Sequence, residues 1–241
     1  MRILTHGCSH TYGDDLEDRN LSWPVQLSDR MNAELDNLSC SGCSNQRIVH
    51  ETVKVTADQH YDLVVIAWSH FERFSRCRND NRHIVDFNPG TVQHALYKNT
   101  PEYEDYAKLH YTYWSDSVYQ FEQWIQQILF LQSWFKQNQI PYVMLNGAYN
   151  YYDKFICHRD QFNKNIQPFT CFDQINDQQL DCMHKELQQL TSCIDLCYYY
   201  QINSFAITDL HQTHAVGPTN HLLEQGHTEV AELVYTYAKN Q

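Results

Sequence analysis

The run Tyr61–Trp68, YDLVVIAW, carries one charge in eight residues and is otherwise apolar and rich in β-branched side chains. Side chains alternate between the two faces of a strand, so a run that is apolar at nearly every position suits a strand covered on both sides. Such a strand belongs inside a parallel sheet, whose neighbouring strands are joined by long crossovers, usually helices. The rest of the chain has the matching alternation. Arg2 to Thr5 reads as a first strand, Ala33 to Leu38 as a second and Pro141 to Leu145 as a fourth, with a weak strand within 196–207. Helical spacing marks about 22–32, where Ser22 is the cap and Pro24 lies in the first turn, and Asn45 to about Ala57 through Ile48, Thr52 and Val55. It recurs over Val118–Phe135, Asp177–Cys193 and about Leu222–Ala238. Residues 69–115 and 146–175 show no sustained period and read as irregular insertions. The expectation is one domain over 1–241, an α/β fold with a mainly parallel central sheet.

Charge and composition narrow the function classes. Seventeen Lys and Arg against 29 Asp and Glu leave a net charge of −12, and with no basic cluster such a surface repels phosphate backbones, so no nucleic-acid partner is expected. Every apolar run falls short of the ~18 residues that cross a bilayer, and MRILTHGCSH lacks the apolar stretch of a secretory leader; the expected compartment is cytoplasmic. Nine cysteines cannot all pair internally, and reduced thiols are expected.

Glycine is scarce, with seven in 241 residues, well below the usual ~7%. Three of the seven lie in the polar clusters GCSHTYG and SCSGCSN, each following a predicted strand. GCSHTYG lacks both the G-x-G-x-x-G spacing and a P-loop lysine, so no nucleotide cofactor is implied. What remains is Ser9 on a tight turn after a core strand. A serine needs a base to become a nucleophile, and a neutral imidazole is the usual one. Among His211, His214, His221 and His227, His221 is best placed, just before the last helix.

With Ser9 at its centre, GCSHTYG resembles the first block of the SGNH (GDSL-type) hydrolases, Cys8 standing where Asp is usual. Residues 36–45, DNLSCSGCSN, are similar to the second block, with Gly42 as its backbone donor. The stretch His221–His227 followed by Ala231 resembles the last block. The resemblance implies a three-layer α/β/α sandwich of flavodoxin-like topology and an ester hydrolase without cofactor. Ser9 would be its nucleophile and His221 its base, with an oxyanion hole from Ser9 and Gly42 and a further donor from Ser69 or His70. The substrate would be a small-molecule, lipid or carbohydrate ester. Two blocks depart from the pattern. His70 stands at the family's Asn, and Pro218 at the Asp that normally precedes the histidine by three. The second ring nitrogen of His221 is then expected to find a backbone carbonyl of the loop 216–220 or, failing that, Asp209 as orienting acid. A binding module that has lost catalysis is the alternative. A metal protein is a third reading, through Cys40-x-x-Cys43, Cys193 with Cys197, or His211-x-x-His214; small buried thiols and surface imidazoles account for these residues better, and no metal is expected.

Overall fold

The computed structural model describes residues 1–77, 84–88, 101–114, 117–150, 177–200, 202 and 205–241. Strands β1 (Arg2–His6), β2 (Glu34–Asn37), β3 (Leu63–Trp68) and β6 (Tyr142–Asn146) form one sheet in the order β2-β1-β3-β6, parallel throughout. Every residue of β3 is buried. It pairs with β1 through Thr5 and Val65 and with β6 through Val65 and Val143, so both of its edges are bonded. β4 (Phe74–Cys77) and β5 (Ile84–Phe87) make a separate antiparallel ribbon.

The period-two alternation of β3 decides what lies on each face. Val64, Ile66 and Trp68 pack with Ile48 of α3 (Asn45–Asp58), Phe121, Ile125 and Ile128 of α5 (Ser117–Gln137) and Leu187 of α6 (Asp177–Thr191). Leu63, Val65 and Ala67 point the other way, onto Trp23 and Leu27 of α2 (Trp23–Met31) and Val230, Ala231 and Val234 of α7 (Glu224–Lys239). Two cores thus sandwich the sheet. Each fully buried side chain of this size contributes about 1.5–3 kcal/mol relative to exposure. The expected mixed α/β architecture with a parallel central sheet is the one observed, and element ends fall within two residues of the sequence boundaries for the strands β2, β3 and β6 and the helices α2, α3, α5, α6 and α7.

Two expectations change. Among the described residues, the weak strand within 196–207 reduces to one parallel bridge, Tyr199 to Met144. Its flanks are 3-10 turns, Leu196–Tyr198 and Ile207–Gln212. Asp195 starts the first by accepting from Cys197 N–H at 3.1 Å, and Asp209 starts the second by accepting from Ala206 N–H at 2.7 Å. Side-chain carboxylates that bond nearby amides compete with strand pairing, and here they win. The stretch 69–115 also proves more regular than its sequence suggests. It holds β4 and β5, then α4 (Pro101–Leu109) with a π-turn over His110–Trp114. Its aromatics build a small core of their own, in which Phe74 and Phe87 stack at 4.8 Å over Ala107. Of the second stretch, 146–175, only residues to 150 are among those described. Among the described residues no helix is long and apolar enough to cross a membrane.

The start of α2 is tied to the start of α7 by a buried imidazole. Trp23 N–H, at the first turn of α2, donates to His227 Nδ1 at 3.1 Å. Helix N-termini have amide hydrogens with no intrahelical acceptor, and this one is satisfied from a residue 204 positions away. His227 is 1% exposed, and burial, aided by the nearby His221, pushes its imidazole down to about 4. In the unfolded chain it titrates near 6.5. Below that value the unfolded chain binds a proton that the folded chain refuses, so stability falls as pH drops from ~6.5 toward ~4, by about 2 kcal/mol at pH 5 from this group. Urea midpoints at pH 7 and pH 5 measure the loss. His227→Gln, whose amide oxygen still accepts from Trp23, should recover about 2 kcal/mol of the pH-dependent part; an unchanged pH slope would assign the effect elsewhere.

Candidate active site

The strand order carries the chain from β1 to β2 on one side and later to β3 on the other. In open parallel sheets a crevice forms at such a reversal, beyond the carboxyl ends of the strands. A cleft of about 760 Å³ lies there, lined by Ser9, Gly42, His70, Arg73, Tyr149 and His221 among others. Its residues come from the ends of β1, β2, β3 and β6 and from the loop before α7. Another hollow, of about 560 Å³, includes Met1, Asp62 and Pro141 near the amino ends of the strands, and its lining has neither serine nor histidine.

Ser9 is the first residue of a single helical turn, α1 (Ser9–Tyr12), which Gly13 closes in the left-handed region with its N–H on Ser9 C=O at 3.0 Å. A residue in that first position keeps an amide hydrogen without an intrahelical acceptor. Gly42 occupies the third position of the turn Cys40–Cys43, at φ +74°, which a side chain adopts only under strain. A Cβ placed there would meet nothing within 4 Å. Steric room is therefore not what keeps the position glycine; backbone conformation is.

Asn45, 2% exposed, fixes that turn to the end of β3. Its Oδ1 accepts from Ser69 N–H at 2.7 Å and its Nδ2 donates to Ser69 C=O at 3.0 Å. The Ser69 hydroxyl accepts from Arg73 Nη1 at 2.9 Å. Ser69 itself is buried behind the cleft wall, while His70 and Arg73 reach the lining. Beside His70 Nδ1, at 3.6 Å, lies Glu72, whose carboxyl burial pushes above its ordinary value.

His221 is held by a tight loop. Val216 and Leu222 form an antiparallel bridge, Gly217 N–H donates to His221 C=O at 2.8 Å and Asn220 N–H to Gly217 C=O at 3.0 Å. These bonds engage the carbonyl of Gly217, and among the described residues no loop carbonyl is bonded to the ring. His221 Nδ1 instead meets Thr219 Oγ1 at 2.9 Å and Asp15 Oδ2 at 3.5 Å. Thr219 Oγ1 is also 2.8 Å from Asp15 Oδ1. A hydroxyl has one hydrogen, and a carboxylate can only accept it, so the contact to His221 requires Nδ1–H as donor. That tautomer leaves Nε2 with its lone pair. Asp209 is engaged at Ala206 N–H, so the carboxylate at the His221 ring is Asp15 and not Asp209.

Asp15 collects further donors, Thr219 N–H at 2.9 Å and His221 N–H at 3.2 Å. Burial works to raise its carboxyl, but the Thr219 and His221 hydrogen bonds together hold it below the usual carboxylate range. Its backbone sits at φ +70°, and the contact is close because Gly217 has no side chain. A Cβ on Gly217 would run into Cβ and Cγ of Asp15. Nothing in GCSHTYGDD separates Asp15 from Asp14 by sequence alone. The available signal was a rare glycine, Gly217, four residues before the candidate histidine in a chain that has few.

His10 completes the group. Its ring lies 4.5 Å from that of His221 and 5.7 Å from that of His211, centroid to centroid. Burial first, and then the neighbouring His221 and His211, keep its imidazole well below the ordinary range, so it stays neutral. Among the described residues no hydrogen bond joins Ser9 Oγ to the His221 ring, although both line the same cleft. His214 is turned away, bonded through Nε2 to Glu229 at 3.0 Å. Cys193 and Cys197 are exposed and free. Among the described residues, the cysteine and histidine pairs of the metal reading yield one group with ligand spacing, Cys40 and Cys43 with Asp86.

The chain is similar to several solved structures. A psychrotrophic esterase, EstA, from Pseudoalteromonas sp. aligns at 10% identity over 99% of this chain and 97% of that one, with a TM-score of 0.49. TesA aligns at 13% identity over 100% and 99%, with a TM-score of 0.48. An acetyl xylan esterase, AlAXEase, aligns at 11% identity over 98% of each chain, with a TM-score of 0.44. No curated protein matches the sequence. Residues 11–180, more than half of the length, match the model of DUF6071, a family of unknown function, and the chain belongs to that family.

Proposed function

We propose that the chain is a serine ester hydrolase working in the cleft at the carboxyl ends of the strands. The observation that carries this reading is the His221 ring, whose Nδ1–H is held by Thr219 and Asp15 in a cleft that Ser9 and Gly42 also line. A base in that tautomer, fixed by a carboxylate, is what activation of a hydroxyl requires. The sequence resemblance to SGNH hydrolases supports Ser9, Gly42 and His221 independently, though not Asp15.

In this mechanism Ser9 Oγ attacks the acyl carbon and passes its proton to His221 Nε2. His221 then protonates the leaving alcohol, and a water repeats both steps to release the acid. Asp15 stabilises the imidazolium, partly through the Thr219 hydroxyl. The Ser9 and Gly42 N–H groups receive the negative charge that develops on the carbonyl oxygen. On the β3 side the neutral amide usual in the resembling family is replaced by His70, with Arg73 adding a fixed cation. Since Ser69 Oγ accepts from Arg73 behind the lining, it acts by placing that guanidinium, and His70 is the better donor. A cleft lined by Asp14, Glu72, Arg73, Asn88 and Tyr149 suits a small or polar ester, such as an acylated carbohydrate, over a long acyl chain.

Incubation with a fluorophosphonate, then tryptic mapping, should place the label on residues 3–19, at Ser9. Ser9→Ala should remove both the label and hydrolysis of a short-chain aryl ester, a loss on the order of a million-fold, while thermal unfolding stays close to that of the parent. Labelling elsewhere, or activity within about tenfold of the parent, overturns the reading.

The two acids give a sharper comparison. Asp15→Asn is expected to lower kcat about ten-thousand-fold, as loss of a triad acid does. Asp209→Asn should leave kcat within a few-fold and stability close to the parent, because an amide oxygen can still accept from Ala206 N–H. Reversed effects would return Asp209 to the role.

Removing one oxyanion donor raises the barrier by about 3–4 kcal/mol. Gly42→Ala should therefore depress kcat more than stability, because its Cβ enters open space but the +74° φ is disfavoured and displaces the amide. A variant that unfolds readily yet turns over normally when folded would limit Gly42 to shaping the turn.

A further inference from the structure

The turn that presents Gly42 is flanked by Cys40 and Cys43, and the mechanism above uses neither thiol. Cys43 N–H donates to Cys40 C=O at 3.3 Å, closing a four-residue turn. Turns of this kind hold their end residues within about 7 Å Cα to Cα, and disulfides span roughly 4.4–6.8 Å. The two Sγ atoms and a carboxylate oxygen of Asp86 lie within 4.8 Å of one another. Cys40 is partly exposed and Cys43 fully buried.

We propose that Cys40 and Cys43 are a thiol–disulfide site, in which Cys40 reacts with a small-molecule disulfide and Cys43 resolves the product into an internal bond. Both charge and packing separate these roles. The Cys43 S–H and the Arg47 guanidinium favour the Cys40 thiolate, lowering that thiol against the opposing effect of burial. Burial raises the Cys43 thiol well above its usual value. The nucleophile is thus the accessible sulfur and the resolving sulfur is the protected one, the division that exchange chemistry favours.

A divalent metal fits this place less well. Asp86 already accepts from Ser44 N–H at 3.0 Å on one oxygen and from Arg47 Nη1 at 3.0 Å on the other. An incoming dication would displace those bonds and sit against the guanidinium. The same positive charge that repels a metal stabilises a thiolate.

The exchange balances without any bound group. Cys40 thiolate attacks one sulfur of R–S–S–R, forming Cys40–S–S–R and releasing RS⁻. Cys43 gives its proton to water and attacks Cys40 Sγ, expelling the second RS⁻. The protein dithiol is oxidised by two electrons, and the small disulfide is reduced to two thiols. The bond would close across Gly42, so the turn carrying that amide becomes covalently fixed. Whether hydrolysis changes as a result depends on the esterase reading, whereas the chemistry at the two sulfurs stands apart from it.

The test uses the reduced full-length chain, titrated with oxidised glutathione and quenched with iodoacetamide. Trypsin releases residues 31–47, which contain Cys40 and Cys43 and no other cysteine. The expected product is this peptide two hydrogens lighter and resistant to alkylation, before the exposed Cys77, Cys193 and Cys197 acquire glutathione, and restored by dithiothreitol. Cys43→Ser should stop at a stable glutathione adduct on Cys40. The proposal is overturned if both sulfurs stay open to alkylation while the exposed cysteines react. Tightly bound zinc that shields 31–47 in the reduced chain also overturns it, in favour of a metal site.

Discussion

Burial of β3 on both faces is the constraint from which the rest of the architecture follows. Val64, Ile66 and Trp68 demand one apolar cover, and Leu63, Val65 and Ala67 another. Two layers of helix are then required, and with both faces and both edges of β3 occupied, the polar chemistry of the chain is left to the strand ends. The direction of the strands selects which end. Ser9, Gly42 and His70 each lie in a turn beyond a strand end, where small and polar residues are tolerated; after β1 and β2 that turn leads into a helix, whose first amide hydrogens lack partners.

Much of this was legible in the sequence because it rests on local patterns. The apolar run of β3, the helical spacing of α3 and α5, and the small-residue clusters around Ser9 and Gly42 each report on their own segment. Asp15 did not, since its partners Thr219 and His221 lie more than 200 residues away and no periodicity connects them. The strand read within 196–207 failed for a related reason. Its aromatic residues suit a strand in isolation, but Asp195 and Asp209 bond nearby amides and turn the backbone into 3-10 geometry. The aromatics of 69–115 had no visible period because they pack on one another around Phe74 and Phe87 and not along a single amphipathic face.

Histidine chemistry in the molecule divides along burial. His227 and His10 are kept neutral by their surroundings, and His227 works as a backbone acceptor at the start of α2. His221, in contrast, is held at Nδ1 by Thr219 and Asp15. Composition, which counts fourteen histidines, says nothing of this division; it arises from where each ring sits, His227 against the start of α2 and His10 in the cleft beside His221 and His211.

The bonds between Asp15 and the loop 217–221 join segments more than 200 residues apart. During synthesis the serine turn, the glycine turn and the β3 terminus all leave the ribosome well before His221 does. The nascent chain therefore carries the Asp15 carboxylate before either of its partners, Thr219 and His221, has been made. Closing that loop on Asp15 is a contact of very high sequence separation, whose loop-closure entropy must be met before the contact rewards it, so this corner of the cleft is expected to form late in folding.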